Sequence, residues 1–330
     1  MKKVALSIVL AAGLATSSAM AADMATKAPP APPPPPSPWD VAITAALMTD
    51  YNFRGITQSN HNPSTQAGFE LRYTQSPMWQ YYAGISGESI SFPNRAAAEI
   101  DLYAGVRPTF DKLALDFGVW EYWYPGGSCF GNSIQAGCLP TLVNGNVAKK
   151  NASFYEIYGK ATYTFNDQWA AGIQEWYSPS VANTGSVGWY TVGNLTYTTP
   201  STWWGSSGLG AYISGDLGYW SLGKSDAFYG DGALFGFPGI SAATAAAGDP
   251  YKSYWNWDAG FGLTYKAFTL DLRYYDSSLN KGDCNAFTSS QSAGGSNNIT
   301  AANPGGAGSN WCGAAYIAKL SFATNLSNIK

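Results

Sequence analysis

The chain is poor in charge. Only 12% of its 330 residues are Asp, Glu, Lys or Arg, about half the ~25% of a soluble globular domain. A wide ionised surface is therefore out of reach. Histidine is nearly absent, with His61 alone, and no C-x-x-C pair occurs. Neither a zinc site nor a histidine-activated nucleophile has its usual partners, and no G-x-S-x-G elbow is present. Beyond the leader no run of 18 apolar residues occurs, which excludes a helical membrane domain. Basic residues are not in excess, at 18 against 21 acidic ones. The basic face that nucleic acid requires is missing, and no nucleic-acid partner is expected.

Aromatics and glycine are plentiful, with 13 Trp, 22 Tyr and 37 Gly. Apolar residues facing lipid, with Trp and Tyr at the interfaces, are what a transmembrane β-barrel needs. The N-terminus adds an export signal. Lys2 and Lys3 precede the apolar stretch Val4 to Ala15, and Ala19-Met20-Ala21 fits a cleavage site. Residues 1–22 are expected to be a cleaved signal peptide; an uncleaved helix would need ~20 apolar residues. Without Lys2 and Lys3, 16 basic groups face 21 acidic ones, a net charge of −5. Residues 23–38 form a proline-rich linker, with eight prolines between Ala28 and Pro38. Such composition gives an extended spacer, more simply a disordered leader than a periplasmic tether. Residues 39–330 are left for the barrel.

From Trp39 onward the pattern has period two. Phe69, Leu71 and Tyr73 alternate with Glu70, Arg72 and Thr74, and Leu113, Leu115, Phe117 and Val119 with Ala114, Asp116, Gly118 and Trp120. Such alternation is a strand with one apolar and one polar face. Twelve segments are predicted, over 40–52, 66–75, 79–91, 98–108, 112–124, 153–165, 168–177, 187–199, 208–222, 253–265, 268–276 and 314–324. Connections after the even segments are short, and those after the odd ones are mostly long. A sandwich has no reason to sort its loops by parity. The pattern predicts an all-β fold, an antiparallel transmembrane β-barrel of about 12 strands with short periplasmic turns and long extracellular loops. The alanine-rich stretch Ala242 to Gly248 leaves room for a further hairpin or a short loop helix.

Cys129, Cys138, Cys284 and Cys312 make an even count in an exported chain, which favours disulfides. Three pairings are open. Cys129–Cys138 and Cys284–Cys312 are preferred because each falls within one long loop. Aromatics near strand ends read as interfacial girdles: Trp79, Tyr81, Tyr82 and Trp169 by short turns, and Trp120, Tyr122, Trp123, Tyr124, Trp176 and Tyr177 before long loops.

Three motifs carry a family resemblance. Asp50-Tyr51-Asn52-Phe53-Arg54-Gly55-Ile56-Thr57-Gln58-Ser59 resembles a hallmark of the TorF-type porins. So do Glu99-Ile100-Asp101-Leu102-Tyr103-Ala104-Gly105 and Trp123-Tyr124-Pro125-Gly126. The resemblance spans most of the chain after the leader and implies a proteobacterial outer-membrane barrel. The chain departs from it in its long cysteine-bearing loops. It also lacks the terminal aromatic common in outer-membrane barrels: Phe322 is the last aromatic and Lys330 ends the chain.

No chemistry is indicated. Gly218-Tyr219-Trp220-Ser221-Leu222-Gly223-Lys224-Ser225 spells G-x-x-x-x-G-K-[ST], but bulky residues fill it and no helix pattern follows, so it is a chance match. Ser59 is near His61, yet a lone loop histidine is ordinarily just solvated. Neither a catalytic residue, nor a metal, nor a cofactor is expected, and the chain is read as no enzyme. The face opposite the apolar stripe carries Asp50, Glu70, Glu88, Glu99, Asp101, Asp116, Glu156, Asp216, Asp258 and Asp271. The same face carries Arg54, Arg72, Arg107, Lys160, Lys266, Arg273 and Lys319. Pore lining is assigned chiefly to Asp50, Arg54, Glu70, Arg72, Glu99, Asp101, Asp116, Glu156, Lys160, Asp258, Asp271 and Arg273. Charge on a water-filled wall sets ion preference, and the acid surplus predicts at most weak cation preference.

The expected function is passive diffusion of small hydrophilic solutes through the bacterial outer membrane. The alternative is a plugged structural or adhesive barrel acting through its extracellular loops. Expected partners are outer-membrane lipid, the barrel-assembly machinery and small solutes, and the fold is compatible with an oligomer.

Overall fold

The computed structural model describes residues 37–131, 137–230 and 248–328. The expected signal peptide, the linker up to residue 36 and nearly all of the 242–248 stretch lie outside the described residues.

Alternating apolar and polar residues flatten into strands because period two puts each kind on its own face. The strands are β1 (Trp39–Met48), the short pair β2 (Asn52–Phe53) and β3 (Ile56–Thr57), β4 (Ser64–Ser76), β5 (Trp79–Ser89), β6 (Ala98–Phe110) and β7 (Leu113–Trp123). Another short pair follows, β8 (Phe130–Gly131) and β9 (Leu139–Pro140). Then come β10 (Phe154–Thr164), β11 (Trp169–Ser178), β12 (Gly188–Thr198), β13 (Leu209–Leu222), β14 (Tyr254–Tyr265), β15 (Phe268–Ser277) and β16 (Ala315–Asn325). All but the four short strands close into one antiparallel barrel, ordered β1-β16-β15-β14-β13-β12-β11-β10-β7-β6-β5-β4. β1 seals the cylinder, pairing with β16 on one side and β4 on the other. Closure leaves the sheet no open edge, the condition for a sheet to cross hydrocarbon. No helix among the described residues is long and apolar enough to cross a membrane.

The twelve predicted segments correspond one to one with the barrel strands. The largest boundary error is at the end of β1, which stops at Met48 rather than at residue 52. Short connections lie at one end, among them residues 77–78, 111–112 and 266–267. Long ones lie at the other, as the parity of the sequence predicted.

The outer face is apolar. Phe69, Leu71, Ile85, Leu102, Phe117, Ile173, Ile213, Leu217 and Leu272 all stand exposed, and only a nonpolar surround explains such a belt. Aromatic pairs border it at both ends. Trp39–Tyr73, Trp169–Tyr197 and Phe268–Phe322 sit at the turn side, with ring centroids 4.7, 4.9 and 5.3 Å apart. Tyr177–Trp189, Tyr219–Trp255 and Tyr274–Tyr316 sit at the loop side, at 4.5, 4.8 and 5.1 Å. Half of the expected girdle is misassigned, however. Tyr82, Tyr122 and Tyr124 are buried, and Trp120 and Trp176 pack with them inside. The reason is strand parity: Trp120 and Tyr122 share the face of Asp116, whereas Val119 and Trp123 share that of Phe117.

The hydrophobic core lies at the loop-side end, where residues of the long loops meet inward rings of the strand ends. Ile56, Tyr124, Phe154, Trp220, Tyr254, Leu279, Cys284 and Trp311 pack there. A helix over Lys281–Thr288 contributes Cys284, its first turn capped by the Asn280 side chain, which accepts from the Asp283 N–H. The cysteines pair as preferred, Cys129 with Cys138 and Cys284 with Cys312.

Candidate functional site

The site is the barrel interior, into which the first long loop, residues 49–63, is inserted. After β1 the chain turns inward as the β2–β3 hairpin, with Arg54 and Gly55 at its tip. Both have positive φ, 53° and 80°, the two-residue geometry of a tight hairpin. Gly55 is required there for a second reason: a Cβ would meet those of Ser277 and Asn256 at 2.9 and 3.0 Å. Asn52 Oδ1 accepts from the Gly55 N–H at 2.9 Å.

The tip crosses the barrel. Arg54 donates twice to Glu156 on β10, at 2.8 and 2.6 Å, and β10 lies nearly opposite β1 in the strand order. The guanidinium is only 5% exposed and the carboxylate 1%. Rings surround it, with Tyr190, Trp220 and Phe53 centroids at 4.1, 4.4 and 4.6 Å. The Tyr122 hydroxyl donates to Glu156 at 3.1 Å, and that of Tyr254 to the Arg54 carbonyl at 3.0 Å. Burial alone would lower the Arg54 pKa, but Glu156 more than offsets it and the pKa is raised.

The base of the loop is held by Asp50, which is buried. It accepts from Thr57 Oγ1 at 2.5 Å and Ser59 Oγ at 2.8 Å, and His61 Nδ1 lies 2.9 Å from its second oxygen. His61 Nε2 lies 2.9 Å from the Asn310 carbonyl. With an acceptor at each ring nitrogen the imidazolium is favoured, and the hydrogen bond to Asp50 raises the His61 pKa despite partial burial. The expectation of a merely solvated histidine is therefore corrected. Ser59 Oγ bonds Asp50 and the Asn62 carbonyl, so His61 is not paired with it as a base.

Two charge clusters line the wall below. On β4–β7, Glu70 accepts from Arg107 at 2.7 and 2.9 Å and from Arg72 Nε at 2.5 Å. Arg107 Nε also reaches Asp116 at 3.3 Å, and Asp116 accepts from the Tyr82 hydroxyl at 2.5 Å. Lys160 lies over the Tyr158 and Trp176 rings, at 4.4 and 4.6 Å. Across the lumen on β13–β15, Arg273 donates to Asp258 at 2.5 Å, Asp271 at 3.1 Å and Ser214 at 2.7 Å. Asp216 stands 3.8 Å from the same guanidinium, and the Tyr212 hydroxyl donates to Asp271 at 2.6 Å. A third group, Glu88, Glu99 and Asp101, is acidic only.

Of the proposed lining residues, Glu70, Arg72, Glu99, Asp101, Asp116, Glu156, Lys160, Asp258, Asp271 and Arg273 lie buried or half-buried on barrel strands, and two lie elsewhere. Asp50 and Arg54 belong to the inserted loop rather than to a strand, because β1 ends before them. Lys266, counted with the lumen set, sits in the β14–β15 turn beside the Tyr265 ring at 5.2 Å. Sequence reasoning missed the inner aromatics Tyr190, Trp220 and Tyr254. Their parity with Asp216 and Asp258 was the available signal. The P-loop spelling runs along β13 and leaves it at Gly223.

Open space remains around these groups. A cavity of about 360 Å³ beneath the hairpin is lined by Arg54, Asp101, Lys160, Asp216 and Asp258, among others. A second of about 360 Å³ at the turn-side mouth is lined by Arg107, Asp116 and Lys160. Lys160 borders both.

Residues 33–154 match the model of a family described as a bacterial protein of unknown function, Gcw_chp. The three motifs quoted from the sequence fall within that range. No curated protein matches the chain. Among solved structures, the NanC porin is similar at 9% identity and a TM-score of 0.40, over 86% of this chain and 98% of its own. LpxR from Salmonella typhimurium is similar at 10% identity and 0.39, over 86% and 99%. OmpT of Vibrio cholerae is similar at 10% identity and 0.36, over 87% and 97%.

Proposed function

We propose that the protein is an outer-membrane channel for passive diffusion of small hydrophilic solutes, with the first long loop as its constriction. The observation that carries this reading is the lumen wall. Arg107, Lys160, Asp216 and Asp258 border open cavities, while the outside is an apolar belt between aromatic girdles. Ionised groups are costly away from water, so such a wall suits a water-filled lumen. Asp216, Asp258 and Asp271 outnumber the Arg273 they share, and such a surplus favours cations weakly. The TorF-type motifs agree with the reading. In this orientation the short turns face the periplasm, the cysteine-bearing loops face outward, and residues 1–22 are the export signal.

The packed loop-side mouth favours a second reading, a plugged barrel acting through its loops. Conductance of the refolded protein in a planar bilayer decides between them. Stepwise currents with weak cation preference support the channel. A correctly inserted barrel that stays silent at every voltage rejects it.

A further inference from the structure

Glu88, Glu99 and Asp101 form a cluster that the channel reading does not use. Each offers one carboxylate oxygen, and the three lie within 4.8 Å of one another. Their side chains sit inside the barrel near the loop-side ends of β5 and β6, only 3%, 1% and 4% exposed. Glu88 and Glu99 are direct partners across the two strands, and Asp101 is paired with Ser86. Like charges directly opposite are destabilising in a sheet, and more so where water is scarce.

Lys319 acts on Glu88 through space but does not pair with it. Among the described residues no ion pair includes any of the three. Lys319 donates to Gln66 Oε1 at 3.1 Å, and it is Gln66 that donates to Glu88 Oε1, at 2.7 Å. The Tyr51 hydroxyl donates to Glu99 at 2.6 Å, and Ser86 Oγ to Asp101 Oδ2 at 3.3 Å. That leaves Glu88 Oε2 and Asp101 Oδ1 buried without a hydrogen-bond partner. Trp120 Nε1 lies beside Asp101 but outside hydrogen-bonding geometry. A buried carboxylate oxygen without a donor is costly, and two in one all-acidic cluster are oxygens that a hard cation would satisfy.

We propose that Glu88, Glu99 and Asp101 bind a divalent cation of the calcium class. Hard cations take oxygen ligands, and calcium accepts six to eight at irregular angles. Three carboxylates supply up to six. The cavity beneath the hairpin is lined by Glu88 and Asp101, which gives an ion a route from the lumen. Because Tyr51 bonds Glu99, a bound ion would also brace the base of the inserted loop.

Terbium, a luminescent stand-in for calcium, tests this through excitation of Trp120 and Tyr51 nearby. The refolded protein should show one saturable terbium site that calcium displaces. Losing an outer-shell contact alone costs ~10-fold in metal affinity, so Glu99→Gln with Asp101→Asn should lower it by more. Asp271→Asn, which alters a carboxylate already paired with Arg273, should leave it unchanged. Absent emission, emission that calcium does not displace, or emission that survives in the double variant overturns the proposal. Should the double variant fail to fold, the unfolding temperature of the unaltered protein decides: calcium must raise it relative to a chelator. An unchanged temperature overturns the site. None of these readings depends on whether the barrel conducts.

Discussion

A single guanidinium ties the inserted loop to the far wall of the barrel. Arg54 adopts a left-handed conformation that disfavours any residue with a Cβ, and its two bonds to Glu156 hold it there. Removing one partner of a buried pair costs about 3–5 kcal/mol, because the other charge is left uncompensated. The substitution Arg54→Ala should therefore release the hairpin while the barrel stays folded. Its single-channel conductance should exceed that of the unaltered protein, and residues 52–59 should become sensitive to protease. A variant with unchanged conductance would show that the constriction lies elsewhere. His61 gives the same loop a pH dependence. Its pKa is raised in the folded state by Asp50, so the stabilisation is complete below the ordinary value of about 6.5 and is lost as pH rises through the raised value. The protection factor over residues 52–59, exchange corrected for its intrinsic base catalysis, should be highest in mild acid and fall as pH rises through that raised value. In His61→Ala that dependence should vanish; its survival would assign it to another group.

The barrel strands were legible because each carries its own period-two signal over ten residues or more. The inserted hairpin was not. β2 and β3 have two residues each, too few to show a period. What draws them inward is Glu156, 102 positions away, together with rings on β7, β12 and β13. The inner aromatics failed for a related reason. In runs such as Trp120 to Tyr124 both parities are aromatic, so composition names a girdle while register sends alternate rings inside. The disulfides were legible from loop membership, but not what they hold. Cys312 forms an isolated bridge with Ile56 of the hairpin, and its bond to Cys284 ties the hairpin to the helix over Lys281–Thr288. Closing a loop across a 28-residue separation is worth about 3–4 kcal/mol in the chain-entropy model. The double variant Cys284→Ser with Cys312→Ser should speed exchange in the loops around Ile56 and Leu279. Its barrel strands should exchange as before. Equal acceleration in the strands would mean that loop cap and barrel unfold as one unit.

At the scale of the whole molecule, two faces of one sheet meet opposite solvents, and neighbouring residues should report it. Leu217 points out of β13 and Asp216 points in, one position apart. Arginine at Leu217, near the middle of the outer belt, should cost about 2–4 kcal/mol of folding free energy in lipid, the depth-dependent cost known for barrels. Asparagine at Asp216 should cost far less, since that side chain shares its surroundings with Arg273, Asp258 and a cavity. Its effect belongs to conduction instead. Asp216 and Asp258 face each other across β13 and β14 with only Arg273 between them, so this stretch of wall carries surplus negative charge. Neutralising Asp216 removes part of it, and the reversal potential across a salt gradient should move toward zero in Asp216→Asn. Neutralising Lys160, which borders both cavities and stands over rings on the strand position opposite Asp116, should move it the opposite way. If both substitutions shift the potential in the same direction, the permeating ions do not pass between these two walls, and the lumen is not the path.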